Sequence, residues 1–285
     1  MDYVNPRDTI NEVRQVAVRK ASLPAGQMLV RGALAGAFLG YATSLAMAIN
    51  AQGLPPIVAA LCFPVGFVML VLLGLELATG NFAVLPVGYA SGEVRLPDLL
   101  RNWGWVYLGN LLGSVAYALL FGAAITNLGS STGGALGDQL RRIAQAKTLG
   151  YMTLGARGWG TAFVKAILCN WMVTVGAVLA LTSRSTIGKI AAMWLPIMMF
   201  FALGYEHSVV NMFVVPAGML LGAPVSLSAW WTWNQVPVTL GNVVAGVFLT
   251  GMALDYAYPK PGAAETPPVE QRAIAFGAPA RTESA

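Results

Sequence analysis

Apolar residues gather in six blocks along this chain, at roughly Gln27 to Ile49, Leu54 to Ala90, Leu100 to Ile125, Gly160 to Leu181, Lys189 to Leu221 and Val236 to Tyr256. A helix that crosses a bilayer needs about 20 mostly apolar residues, so every block predicts a crossing. Two blocks, of 37 and 33 residues, are far longer than one crossing requires. Each of these two holds a polar island near its middle, Glu76-Leu77-Ala78-Thr79-Gly80-Asn81 in one and Glu206-His207-Ser208-Val209-Val210-Asn211 in the other. Charge is costly in hydrocarbon, and irregular backbone at that depth is tolerated only inside protein or beside water. The pattern therefore predicts an all-α membrane protein of six transmembrane helices, with helices 2 and 5 broken.

Three segments follow from the same pattern. Residues 1–26 are polar, with Ile10, Val13, Val16 and Ala17 at helical spacing, which predicts a short amphipathic helix on the cytoplasmic membrane surface. Ala46-Met47-Ala48 resembles a signal-peptide cleavage site, but the polar leader and the apolar run are both too long, so the run is retained as the first crossing. Residues 27–256 form the transmembrane channel domain, with half-repeats at about 27–125 and 160–256. Residues 257–285, rich in Pro, Ala and Glu, are expected to be a disordered cytoplasmic tail.

Composition sharpens this picture. Hydrophobic residues make up 56% of the 285 and charged residues 10%, with a mean hydropathy of +0.64. Soluble domains carry about a quarter charged residues, so a large soluble catalytic domain is excluded. Cys62 and Cys169 lie in apolar stretches without metal-ligand spacing, and His207 is the lone histidine. No metal, cofactor or nucleic-acid partner is expected. With both termini inside, the cytoplasmic segments hold twelve of the 17 Lys and Arg residues and the outer loops only Arg141, Arg142, Lys147 and Arg157. Lys165, inside the fourth crossing, snorkels to the interface. That asymmetry predicts a multi-pass protein of a bacterial-type cytoplasmic (inner) membrane.

An internal repeat carries the functional argument. Gly74 to Gly88 lies without gaps on Gly204 to Gly218 at an offset of 130, with six of fifteen positions identical, Glu, Asn and Pro among them. Leu108-Gly109-Asn110 matches Leu240-Gly241-Asn242 at an offset of 132. Each half holds three crossings, an odd number, so the second half enters from the opposite side. Such 3+3 inverted repeats bring two broken helices together at the bilayer midplane with the substrate path between them, and the half-helix N-termini favour an anion there. The architecture predicts a channel or transporter.

At these residues the chain resembles the formate/nitrite transporter family. The features that carry the likeness are Glu76-Leu77-Ala78-Thr79-Gly80-Asn81, Cys169-Asn170-Trp171-Met172-Val173, Gly204-Tyr205-Glu206-His207-Ser208-Val209-Val210-Asn211-Met212 and Pro237-Val238-Thr239-Leu240-Gly241-Asn242. The resemblance spans about Gln27 to Tyr256. It implies an aquaporin-like protomer in a homopentamer with one pore per subunit, conducting small monovalent anions or their conjugate acids. It places Thr79 and His207 at the centre of the pore with Asn242 nearby, and hydrophobic constrictions at Phe63, Phe67, Leu77, Phe200 and Val210. One departure stands out: the family lysine sixteen residues before Asn170 is Leu154 here, with Lys147, Arg157 and Lys165 the nearby cations.

Each of these residues has a plainer alternative. Thr79 could serve as a helix N-cap. Glu76 and Glu206 are expected to support the helix breaks by accepting backbone N–H bonds, and Asn170 and Asn211 to satisfy loose backbone groups. The three phenylalanines could be packing, and Leu-Gly-Asn could serve close helix contact. His207, whose reference pKa is about 6.5, is the residue through which an anion and a proton would pass together. Formate is the favoured anion, with nitrite or hydrosulfide as alternatives. An intramembrane hydrolase built on Ser208, His207 and Glu206 is a remote alternative, since no G-x-S-x-G elbow or H-E-x-x-H motif is present. The N-terminal segment is also positioned to gate the cytoplasmic mouth.

Overall fold

A computed structural model describes residues 2–260, and these are helical almost throughout, with one isolated bridge between Tyr3 and Ser183. The tail expected over 257–285 lies, past Lys260, outside the described residues. Three continuous helices are long and apolar enough to cross a membrane: α2 (Ala25–Ala51), α6 (Leu96–Ile125) and α9 (Ala156–Leu179). A fourth such run, Leu227–Ala257, is built from α12 (Leu227–Trp230), α13 (Val236–Val244) and α14 (Ala253–Ala257), joined by π-helical turns at Trp231–Gln235 and Ala245–Met252. It starts nine residues before the apolar block does. Ser226 Oγ caps it by accepting from the Ala229 N–H at 3.1 Å, and buried Asn234 and Gln235 lower the local hydropathy although they face protein.

The two overlong blocks are interrupted as expected. The first comprises α3 (Pro56–Cys62) and α4 (Pro64–Leu72), jointed at Phe63, then α5 (Ala78–Ala90); the second comprises α10 (Thr186–Ala202) and α11 (Ser208–Leu220). Amphipathic α1 (Pro6–Ala21) opens the chain, and α7 (Gly134–Lys147) with α8 (Leu149–Thr153) fills the connection between α6 and α9.

Two expectations change here. The apolar face of α1 does not lie against lipid: Ile10, Val13 and Ala17 are buried on Val84, Leu85 and Val87 of α5. Arg14, 3% exposed, is tied to Asp255 and to the Tyr258 carbonyl. The long connection between α6 and α9 is not a plain loop, because α7 packs on α11 as α1 packs on α5. A Cβ on Gly88 would meet the Ala17 Cβ at 2.6 Å, and one on Gly218 would meet the Ala144 Cβ at 2.4 Å. Hydropathy overlooks α7 because only one of its faces is apolar.

Close helix contact rests on glycines that admit backbone. On the α2–α6 seam, a Cβ on Gly36 would lie 2.3 Å from the Asn110 carbonyl oxygen and one on Gly113 1.8 Å from that of Ala33. Both clashes are with backbone, so relief requires separating the helices. Gly113→Ala should therefore lower stability by about 2 kcal/mol or more, whereas Gly104→Ala on the same helix, where an added Cβ meets nothing within 4 Å, should be neutral or slightly stabilising. Denaturant unfolding in detergent micelles, followed by tryptophan fluorescence, checks the contrast.

The N-terminus is fastened to the turn before α10. The Asp2 carboxylate accepts from Ser183 Oγ at 2.8 Å and from the Arg184 and Ser185 N–H groups at 2.7 Å each. Those bonds, that of Ser183 foremost, hold its pKa below the ordinary 3.8. A lowered carboxylate pKa means the clasp is intact above the ordinary value and is lost as pH falls through the depressed one. Protection of the Arg184 and Ser185 amides, read as exchange relative to the intrinsic rate at each pH, should hold from neutral pH down to about pH 4 and fall only below it, and Asp2→Asn should remove that fall.

Candidate functional site

Both interruptions are made by the same local chemistry. Helix α4 ends on Gly74 at φ 64°, and α10 on Gly204 at φ 65°. The left-handed glycine lets the chain turn back on its helix: the Leu75 N–H donates to the Leu70 carbonyl at 2.9 Å, and the Tyr205 N–H to the Phe200 carbonyl at 3.2 Å. The chain then runs extended to Leu77 (φ −117°, ψ 119°) and His207 (φ −116°, ψ 119°), from which α5 and α11 start.

Two asparagines satisfy the loosened backbone. Asn110 Oδ1 accepts from the Ala78 N–H at 2.9 Å while its Nδ2 donates to the Gly32 and Glu76 carbonyls. Asn242 repeats the pattern, accepting from the Ser208 N–H at 2.9 Å and donating to the Ala166 and Glu206 carbonyls. Every atom of the Asn242 amide is thus engaged by backbone. Asn170 Nδ2 donates to the carbonyls of Thr79 (3.1 Å) and Asn242 (2.6 Å), linking the two halves.

The carboxylates serve differently from expectation. Glu76 accepts from Lys20 Nζ (2.8 Å) and Asn81 Nδ2 (2.7 Å), and Glu206 from Lys147 Nζ (2.7 Å), Tyr151 OH (2.8 Å) and Asn211 Nδ2 (2.8 Å). Their side chains bind lysine and amide groups and not backbone N–H groups, because Asn110 and Asn242 already occupy the first N–H of each half-helix. Lys147, rather than exposed Leu154 or Arg157, supplies the cation beside the second break. Lys20 supplies it beside the first, which sequence reasoning missed because an amphipathic N-terminal helix gave no sign of reaching the broken segment.

At the centre, His207 Nε2 lies 3.1 Å from Thr79 Oγ1 and both residues are buried. His207 also caps α11, its Nδ1 accepting from the Val210 N–H at 3.2 Å. An Nδ1 that accepts from backbone assigns the ring proton to Nε2, so Nε2–H donates to Thr79 Oγ1 and leaves the threonine hydroxyl proton free to turn elsewhere. Thr79 is not the N-cap of α5, since Leu77 holds that place.

Apolar side chains enclose this pair. The Phe200 ring stacks on His207 with centroids 5.7 Å apart and meets the edge of Phe63 at 5.7 Å. Phe63 in turn stacks on Phe201 at 4.0 Å and is fully buried. Phe67, Leu77 and Val210 join the same cluster. On the side that carries α1, a cavity of about 460 Å³ reaches Phe67, Leu70 and Leu77, with Arg19, Lys20 and Arg31 on its wall beside Glu76. Among the described residues Ser208 Oγ meets no hydrogen-bond partner and Glu206 is occupied by Lys147, Tyr151 and Asn211, so Ser208, His207 and Glu206 do not assemble into a nucleophile and base.

A family model described as formate/nitrite transporter matches residues 7–256. A probable formate transporter of Methanothermobacter thermautotrophicus is 35% identical over 275 residues, covering 90% of this chain and 98% of its own length. Among solved structures, an FNT family ion channel shares the fold at a TM-score of 0.77 and 30% identity, covering 88% of this chain and 99% of that one. A pentameric formate channel with formate bound does so at a TM-score of 0.68 and 28% identity, covering 83% and 98%. Together with the repeated helix breaks and the buried pair between them, these matches show that the chain belongs to the formate/nitrite transporter family.

Proposed function

We propose that this protein is a transmembrane channel or transporter for small monovalent anions, formate foremost, which cross with a proton at a central histidine. The observation that carries the reading is the His207 Nε2–Thr79 Oγ1 contact of 3.1 Å, a buried polar pair set between apolar walls where two helix breaks meet. The crossings form a six-helix 3+3 inverted repeat, aquaporin-like in design, with both termini cytoplasmic in a bacterial-type inner membrane. The protomers assemble as a homopentamer, as in the pentameric formate channel to which the chain is similar.

The mechanism follows from solvation. Arg19, Lys20 and Arg31 draw an anion into the cavity on the α1 side. Ahead lies the neck at Phe67, Leu70 and Leu77, where a bare carboxylate loses several kcal/mol of hydration even after the surroundings relax. The N-termini of α5 and α11 both point their positive dipole ends at the centre and offset part of that loss. Taking up a proton from the water of the cavity, on the approach to His207 and before the neck, removes most of the remainder, so the neck is crossed as the neutral acid. Thr79 offers its free hydroxyl proton to the acid, while Asn242, Asn170, Asn211, Glu76 and Glu206 hold the breaks in register.

Nitrite fits the same chemistry, being a small anion with a weak conjugate acid, and the family description names both. Stopped-flow uptake of formate, nitrite and hydrosulfide into proteoliposomes between about pH 5 and 8, the range in which an imidazole titrates, separates the readings. His207→Ala should abolish formate flux or flatten its pH dependence. Wild-type rates with an unchanged profile in that variant would refute the central-histidine mechanism while leaving a pore intact.

A second expectation concerns the hydroxyl alone. Thr79→Val should lower flux about tenfold, the effect of losing one hydrogen bond of about 1.4 kcal/mol in the crossing. Thr79→Ser, which keeps the hydroxyl, should stay within about twofold of wild type on the same scale. Equal loss in both variants would mean that Thr79 acts through its methyl group in packing.

A further inference from the structure

Besides the exchanges at Leu77/His207 and Thr79/Val209, the two halves differ in how one shared buried asparagine is bonded. Around the first break, side chains close a ring: Asn81 Nδ2 donates to Glu76 Oε2 (2.7 Å) and to Asn102 Oδ1 (2.8 Å), Asn102 Nδ2 donates to the Lys20 carbonyl (2.9 Å), and Lys20 Nζ returns to Glu76 Oε1 (2.8 Å). Around the second break, Lys147 and Asn211 again donate to the carboxylate, here both to Glu206 Oε2, while Tyr151 OH donates to Oε1. The match of Asn242 on Asn110 extends back without gaps through Val238 on Val106 and sets Asn234 on Asn102. Asn102 and Asn234 are both fully buried. Yet neither Oδ1 nor Nδ2 of Asn234 meets a protein partner, and Asn211 Oδ1 lacks one as well, among the described residues.

The cause lies in the backbone. Asn234 sits in the π-helical turn Trp231–Gln235, whereas Asn102 sits in regular α-helix. The wider turn changes the helical phase at Asn234 relative to that at Asn102. A primary amide offers two donors and an acceptor oxygen, and leaving all of them unpaired in a buried place is strongly unfavourable. Buried polar groups of this kind are satisfied by internal water, which makes about three hydrogen bonds.

We propose that Asn234 holds an internal water site that bridges its amide to Asn211 Oδ1, closing the second ring through solvent where the first is closed by protein. Asn234 is then a positioning residue for the Lys147–Glu206 pair. Lys20 is held at its ammonium by Glu76 and at its carbonyl by Asn102, whereas among the described residues Asn234 makes no such bond on the Lys147 side, and the water takes its place. The titratable groups that face the second ring are Lys147, Glu206, Tyr151, Cys169 and, one residue along the chain, His207.

The test is a high-resolution map of the full-length wild-type protein and of Asn234→Leu, paired with formate flux across pH for Asn234→Leu and Asn234→Ser. The wild-type map should contain a solvent peak about 2.7–3.2 Å from both the Asn234 amide and Asn211 Oδ1, and the leucine variant should lack it. Asn234→Leu should conduct roughly fivefold less, the loss of about one water-bridged hydrogen bond, with a displaced pH profile. Asn234→Ser, which leaves room for a second water, should restore more than half the flux and the wild-type profile. A wild-type map in which Asn234 bonds directly to protein with no peak overturns the site. A leucine variant with wild-type flux and profile overturns the positioning role. The flux arm rests on the anion-channel reading, but the map does not, so a protein that conducts no monovalent anion would refute that reading and leave the water site to be decided by density.

Discussion

Everything in this molecule depends on satisfying the backbone at two helix breaks that are buried in apolar surroundings. An unpaired N–H or C=O there has no water to turn to, and each would be destabilising by several kcal/mol. Asn110 and Asn242 meet most of the need: each amide accepts the first N–H of a half-helix and donates to two carbonyls, one of them on a neighbouring helix. Each asparagine therefore pins three segments together, α6, α2 and the first break in one case, α13, α9 and the second break in the other. The adjacent glycines follow from this requirement. Gly109 and Gly241 sit against the backbone of α2 and α9, where a Cβ would lie 2.6 Å from the Leu29 carbonyl oxygen and 2.4 Å from that of Phe163. Without the close approach the amides could not reach.

Because the scaffold is duplicated so closely, the chemistry arises where the copies differ. Leu77 and His207 share backbone angles within a degree and the same place before a half-helix. One copy presents an alkyl group there and the other an imidazole. At the next position but one, the first copy has Thr79 where the second has Val209. The two substitutions are complementary: each half contributes one polar group between the breaks, and the groups meet at 3.1 Å. A symmetric pair of histidines or of leucines on the same frame would give either a wet polar gap or a dry plug.

The breaks and the repeat were legible in the sequence because each leaves a mark that hydropathy does not produce by accident, a polar island inside an apolar block and an offset that recurs, whereas the pairing of Thr79 with His207 was implied only by the family resemblance. The roles of the carboxylates were legible only in part. Glu76 and Glu206 announce themselves as buried charges, but their partners lie 56 and 59 residues away in amphipathic helices that approach from outside the apolar blocks. No local pattern links Lys20 to Glu76. The equivalence of α1 and α7 would have done so, since each ends near a lysine and packs an alanine on a glycine of the following half-helix, yet their sequences share too little to be aligned. The sixth crossing was truncated for a related reason, because Asn234 and Gln235 are polar by composition and internal by position.

The charges explain why an anion would be attracted without being trapped. In each ring the carboxylate is matched by one lysine, so Glu76 with Lys20 and Glu206 with Lys147 contribute little net field at a distance. Arg19 and Arg31 on the cavity wall form no ion pair among the described residues. They face an open cavity of about 460 Å³, where water and salt limit their reach to about 8 Å at physiological ionic strength. Such a field raises the local concentration of small anions without giving a binding site deep enough to hold them. Past Leu77 the walls turn apolar, and in the mechanism proposed above the anion meets there a barrier that a change in its own charge lowers. On the proposed reading, attraction and rejection are assigned to adjacent stretches of one short path, and the buried pair lies just beyond the point where the first gives way to the second.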